Sequence, residues 1–182
     1  MHPALGLVEY WTVAAGLRAA DTIAKTAAVR LLRAQIICPG RYVLLFNGEI
    51  AAVRAVLDAA REKHPERLAD SFLLGSPHPG VLAALDGVKP SAHRAALGVV
   101  ETATAASAIV AADAAAKAAG VDILELRIER EVANKAYVLL TGSVAEVQEA
   151  VAHAARFVQE NGLLLDSAVL PRPDERVWET LL

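Results

Sequence analysis

The strongest constraint on this 182-residue chain is that it repeats itself. Leu5-Gly6-Leu7-Val8-Glu9 returns as Leu97-Gly98-Val99-Val100-Glu101, an offset of 92 positions. At the same offset Ala20-Asp21 returns as Ala112-Asp113, Lys25 as Lys117 and Val29 as Val121. Tyr42-Val43-Leu44-Leu45 then matches Tyr137, shifted by one position, followed by Val138, Leu139 and Leu140, and Gly48 matches Gly142. Asp70-Ser71 matches Asp166-Ser167, and Pro77-His78-Pro79 matches Pro171-Arg172-Pro173. Chance does not place so many like residues in one order, and the period is too long for a solenoid. The reading is a duplicated domain, with copies over residues 1–93 and 94–182 joined near Lys89-Pro90-Ser91.

Each copy carries the same local pattern. In the first, Ala4–Tyr10 reads as a strand, and Thr12 caps a helix running to about Ala27. Strands follow over Val29–Ile37 and Arg41–Phe46, separated by a turn at Cys38-Pro39-Gly40 with Pro in its second position and Gly in its third. An amphipathic helix over Glu49–His64 and a strand over Ala69–Leu74 complete the copy, ahead of a Pro-bounded segment. The second copy repeats this, with strands near 96–101, 123–128, 136–140 and 163–170 and helices near 105–119 and 144–159. The order β-α-β-β-α-β, present twice, predicts an α/β (α+β) chain of two tandem ferredoxin-like domains.

Composition narrows the function. Hydrophobic residues make up 55% of the chain and aromatic ones 4%, enough apolar surface to fold. No window reaches the roughly 18 apolar residues of a membrane span. The first residues lack the basic-then-apolar pattern of a signal peptide, so a cytosolic protein is expected. Eighteen basic against 21 acidic residues, net −3, do not make a nucleic-acid footprint. Apolar surplus with few aromatics suggests burial between subunits.

Catalysis has no visible apparatus. The histidines (His2, His64, His78, His93 and His153) are scattered without metal-ligand spacing, and no phosphate loop or nucleotide fingerprint occurs. Ser71 and Ser167 each follow an Asp, but no His is placed to activate them. Cys38, the single cysteine, cannot form an intrachain disulfide or hold a metal alone.

The tandem β-α-β-β-α-β units, the opening Gly-Leu-Val-Glu, the helix with Ala-Asp and a Lys four residues on, and the closing Pro-Arg-Pro together resemble the bacterial microcompartment shell domain. The unpermuted fused pair is similar to the tandem-domain shell proteins, and Ile37-Cys38-Pro39-Gly40 resembles the propanediol-utilisation type. The resemblance implies a structural protein without enzymatic activity, located in a microcompartment shell within the cytoplasm. It implies a homotrimer that mimics a hexamer and meets other shell proteins edge to edge. Lys25, Lys117, His78 and Arg172 would lie at the assembly edges. Cys38, Pro39 and Gly40 would line the central axis, where three cysteines could share a [4Fe–4S] cluster and exchange electrons with an encapsulated redox enzyme. Arg130, Glu131, Val132, Ala133 and Asn134 form the matching loop of the second copy and would line the same axis, or a small gated pore. The alternative is a ferredoxin-like regulatory module that binds a small molecule between its halves.

Overall fold

A computed structural model describes residues 3–88, 95–128 and 135–181. The first copy comprises β1 (Ala4–Tyr10), α1 (Val13–Thr26), β2 (Arg30–Ile37), β3 (Arg41–Gly48), α2 (Ile50–Lys63), a single 3₁₀ turn at Pro65–Arg67 and β4 (Leu68–Leu74). A short helix, α3 (Pro79–Leu85), follows. The second copy comprises β5 (Ala96–Thr102), α4 (Ala105–Ala118), β6 (Asp122–Arg127), β7 (Ala136–Gly142), α5 (Val144–Gln159) and β8 (Leu164–Leu170), and ends in a second short helix, α6 (Glu175–Leu181). The helices α3 and α6 occupy the segments that the sequence marks only as Pro-bounded. Pro79 stands at the first helical position of α3, where its missing N–H costs nothing.

The two sheets have one topology. Their strand orders are β2-β3-β1-β4 and β6-β7-β5-β8, and every neighbouring pair is antiparallel. This is the ferredoxin-like order, twice. The chain packs as two compact units that are not contiguous in sequence. Among the described residues the first is 3–77 with Thr104–Ser107 and Ile128, and the second is the remainder.

In the first unit Val8, Tyr10, Leu44 and Phe46 meet Ala15, Ala19, Ile23, Val53, Val56 and Leu57 from the two helices. Tyr10 is wholly buried and its hydroxyl donates to the Ala60 carbonyl at 2.9 Å, and burial pushes its pKa up to about 12. Every residue of β1 is buried, and apart from Glu9 the strand reads as an apolar run and not as an alternation. In the second unit Leu97, Leu124 and Leu139 pack around Trp178 of α6. Here α5 begins with a capping box in which the Ser143 side chain accepts from the Glu146 amide and the Glu146 carboxylate accepts from the Ser143 amide.

The glycine of the repeated pentapeptide has a packing cause. A Cβ on Gly6 would lie 2.5 Å from the Phe46 ring and 2.8 Å from a Val53 methyl, and one on Gly98 would lie 2.7 Å from methyls of both Val147 and Val151. In each copy the second helix crosses the first strand so closely that no side chain fits.

The strand register changes one equivalence. Glu9 pairs with Val43 and Tyr10 with Tyr42, whereas Glu101 pairs with Tyr137 and Thr102 with Ala136. Tyr42 is therefore matched by Ala136 and not by Tyr137, and Tyr137 points to the opposite face, toward Trp178. Tyr42 sits against Gly16, where a Cβ would stand 2.4 Å from the ring, while the second copy has Ala108 and Ala136 at these places.

Gly6→Ala is expected to lower stability by about 1–3 kcal/mol through overpacking, although a glycine is ordinarily the weaker choice in a strand interior. Chemical denaturation of wild type and variant checks this, and unchanged stability would contradict the close crossing.

Candidate functional site

The loop that carries Cys38 joins β2 to β3. The Gly40 amide donates to the Ile37 carbonyl at 2.8 Å, closing a turn of which Cys38 and Pro39 are the two central residues. Pro39 is thus third and Gly40 fourth in the turn, one position later than the sequence reading. The Cys38–Pro39 peptide is cis, and Gly40 has a φ of 110°. The thiol is exposed at the tip. In the second copy Arg130, Glu131, Val132, Ala133 and Asn134, expected to line the same axis, lie outside the described residues. Among the described residues no group of three or more His, Cys, Asp or Glu could hold a metal within one chain.

Lys25, Lys117, His78 and Arg172, expected at the assembly edges, have unequal surroundings. Lys25 reaches Asp21 at 2.7 Å, one turn back on α1, and both side chains are mostly exposed. Such a pair contributes a few tenths of a kcal/mol. Lys117 makes the equivalent pair with Asp113 at 2.5 Å, but this carboxylate is buried and also accepts the backbone amide of His78 at 2.7 Å. His78 caps α3, its ring Nδ1 accepting from the Gly80 amide at 3.1 Å. Arg172, its counterpart, is exposed. The first pair is a loose surface contact, whereas the second also pins the start of α3.

A third site lies in the first unit, in residues the sequence shows only as part of the repeat. Glu9 is wholly buried, and its Oε1 accepts from Arg41 Nη1 at 2.7 Å. Its Oε2 accepts from the Ala105 and Ala106 amides at 2.9 and 3.4 Å, the first turn of α4. Those amides have no intrahelical acceptor, so the carboxylate satisfies them and faces the positive end of the helix. The Arg41 guanidinium stacks 4.0 Å from the centre of the Trp11 ring. Next to it, the Thr104 hydroxyl donates to Asp70 Oδ2 at 2.5 Å, and the Asp70 Oδ1 accepts the Ser71 amide at 2.7 Å. Desolvation raises the Glu9 pKa, against the pull of Arg41 and the Ala106 amide. The signal available in the sequence is an acidic residue closing an otherwise apolar strand, repeated at Glu101.

These arrangements join and anchor segments, and they contain no nucleophile set against a base. A BMC domain model matches residues 4–77 and again 96–173. The chain is 35% identical over 182 residues to the bacterial microcompartment shell protein PduT of Citrobacter freundii, covering 100% of this chain and 99% of that one. It is 40% identical to a microcompartment protein from Desulfitobacterium hafniense of known crystal structure, with a TM-score of 0.85 over 98% of this chain and 99% of that one. The fused permuted hexameric shell protein MSM0275 from the RMM microcompartment shares the fold, with 24% identity, a TM-score of 0.65, and coverage of 86% and 83%.

The fold and the matches define a class of structural, non-enzymatic proteins. The chain belongs to the bacterial microcompartment shell proteins, with two BMC domains in tandem, and its place is the microcompartment shell. The relatives that cover the whole chain lend no support to a small-molecule regulator.

Glu9→Gln is expected to destabilise the fold by about 3–5 kcal/mol, because it leaves Arg41 buried without its counter-charge. Lys25→Ala is expected to shift stability by less than about 0.5 kcal/mol. Thermal or urea melts of the two variants check this, and equal melts would contradict the assignment of Glu9 to the anchor.

Proposed function

We propose that this chain is a trimeric, pseudohexameric tile of a microcompartment shell, built from six similar domains when three copies close around one axis. The observation that carries the reading is the duplicated BMC domain over nearly the full chain. Homologous domains in a closed ring make head-to-tail contacts. Exposed large apolar residues on the first copy (Leu17, Leu31, Leu32 and Ile36) support it as candidates for burial against a neighbouring copy. The two domains divide near residues 93 and 94. The tile meets other shell proteins edge to edge through Lys25, Lys117, His78 and Arg172. The whole assembly stands in the cytoplasm.

The finer reading concerns the axis. One chain offers one thiol, so the residues fit an iron–sulfur cluster only when copies converge, which gives three Cys38 thiolates and leaves one iron for another ligand. The turn supports this by holding Cys38 at an exposed tip. Cys38 would hold such a cluster, a [4Fe–4S] one, with Pro39 and Gly40 shaping the rim. Bound there, it would supply one-electron transfer across the shell, for which an encapsulated redox enzyme is the matching partner. Without it, the same loop and residues 130–134 would frame a small gated pore.

Anaerobic reconstitution of wild type against Cys38→Ser tests the axial reading through iron content and visible absorbance. Wild type is expected to take up more iron, about one cluster per three chains, and equal uptake would remove the cluster while leaving the tile. For the edge reading, Lys25→Ala is expected to preserve the trimer and impair flat sheets under the electron microscope, and unchanged sheets would contradict it. Lys117→Ala is the less clean variant, because it also strips a partner from the buried Asp113.

A further inference from the structure

We infer that each copy docks the start of its α1 onto Glu101 and Asp166 of the next copy, repeating between chains the anchor that Glu9 and Asp70 make with the start of α4. This rests on the tile reading and names the contact that closes the ring. The acceptors recur: Glu101 holds the position of Glu9, and Lys135, which precedes Ala136, holds that of Arg41. Asp166 holds the position of Asp70, pairing across the sheet with Glu101 as Asp70 pairs with Glu9, and its Oδ1 likewise accepts the amide of the following serine at 2.7 Å. The donor recurs as well. Thr12 caps α1 by accepting the Ala15 amide as Thr104 accepts the Ser107 amide, and the residue before each donates its amide to a carbonyl at 2.9 Å.

What differs is cover. Glu9 is wholly buried and ion-paired at 2.7 Å, while the Glu101 carboxylate is 37% exposed and meets Lys135 at 3.6 Å. Thr104, Ala105 and Ala106 are buried, while Thr12 and Val13 are half-buried and Ala14 is exposed. One turn on, Ile109 is buried and its counterpart Leu17 is 55% exposed. The first unit takes Thr104–Ser107 and Ile128 from the later part of the chain. In their counterparts in the first copy, Ala14, Ile36 and Cys38 are exposed and Thr12 and Val13 half-buried, although Ala15 and Ile37 are covered. Ile128 is 4% exposed and Ile36 is 55% exposed.

Acceptor and donor thus each stand half-made in one chain, complementary in charge. Next to Glu101, the first-turn amides of Val13 and Ala14 would gain the acceptor that a helix start lacks. Asp166 would take the Thr12 hydroxyl.

The test is a disulfide. In a Cys38→Ser background, Thr12→Cys with Asp166→Cys is expected to yield covalent dimers and a closed covalent trimer on a non-reducing gel after mild oxidation, and Asp70→Cys with Thr104→Cys serves as the intrachain control. Single chains from the first pair, from protein that sediments as a trimer, would overturn this contact and leave the tile reading standing. A monomeric parent protein would overturn both. Independently, Glu101→Lys is expected to raise the concentration at which the trimer dissociates at least tenfold, and an unchanged value would overturn the contact.

Discussion

The buried Glu9 carboxylate is the interaction on which the rest of the first unit turns. It closes an otherwise apolar strand, takes Arg41 on one oxygen and the start of α4 on the other, and joins residues 96 positions apart in the chain. Placing a charge there is costly, as the raised pKa of Glu9 reflects. Its counterweights are specific in direction: a guanidinium held over Trp11, two orphan amides, and the field of a helix end. An apolar residue could fill the space but could not dictate which helix start docks there. The anchor therefore acts more as a device of register than as a source of net stability.

Much of the fold is legible in the residues. The pentapeptide repeat, the turn at Cys38-Pro39-Gly40 and the apolar faces of α2 and α5 lead to the β-α-β-β-α-β order, because strands and helices here have strong, separate periods. The Gly6 and Gly98 repeat is also readable, since a strand glycine marks a close backbone approach. Less legible is the match of Tyr42. Tyrosine in both copies suggests equivalence, but the antiparallel register settles position and puts Ala136 there. The helices α3 and α6 escape notice because seven residues make two turns, too few for a periodic signal.

The candidate site divides along the same line. Exposed features such as Cys38, Lys25 and Arg172 stand out by residue type and by likeness to a family. Glu9 shows only as an acidic residue near the end of an apolar strand, repeated at Glu101, and that signal does not tell a buried glutamate from a surface one. Its partners Arg41, Ala105 and Asp70 are brought to it only by the sheet and by the docking of α4. Duplication then turns a structural detail into a functional one: the same acceptors and the same helix start occur twice, once engaged and once open. A shell tile needs contacts that form repeatedly and in one orientation, and an anchor of fixed direction suits that task better than apolar area alone.

The measurement that bears most directly on this account is the mass of the purified chain in solution, by sedimentation equilibrium at micromolar concentration. The account predicts three times the chain mass of 19.1 kDa, with no dimer on the way to saturation. A species that stays at a single chain mass, or that stops at two, would contradict it.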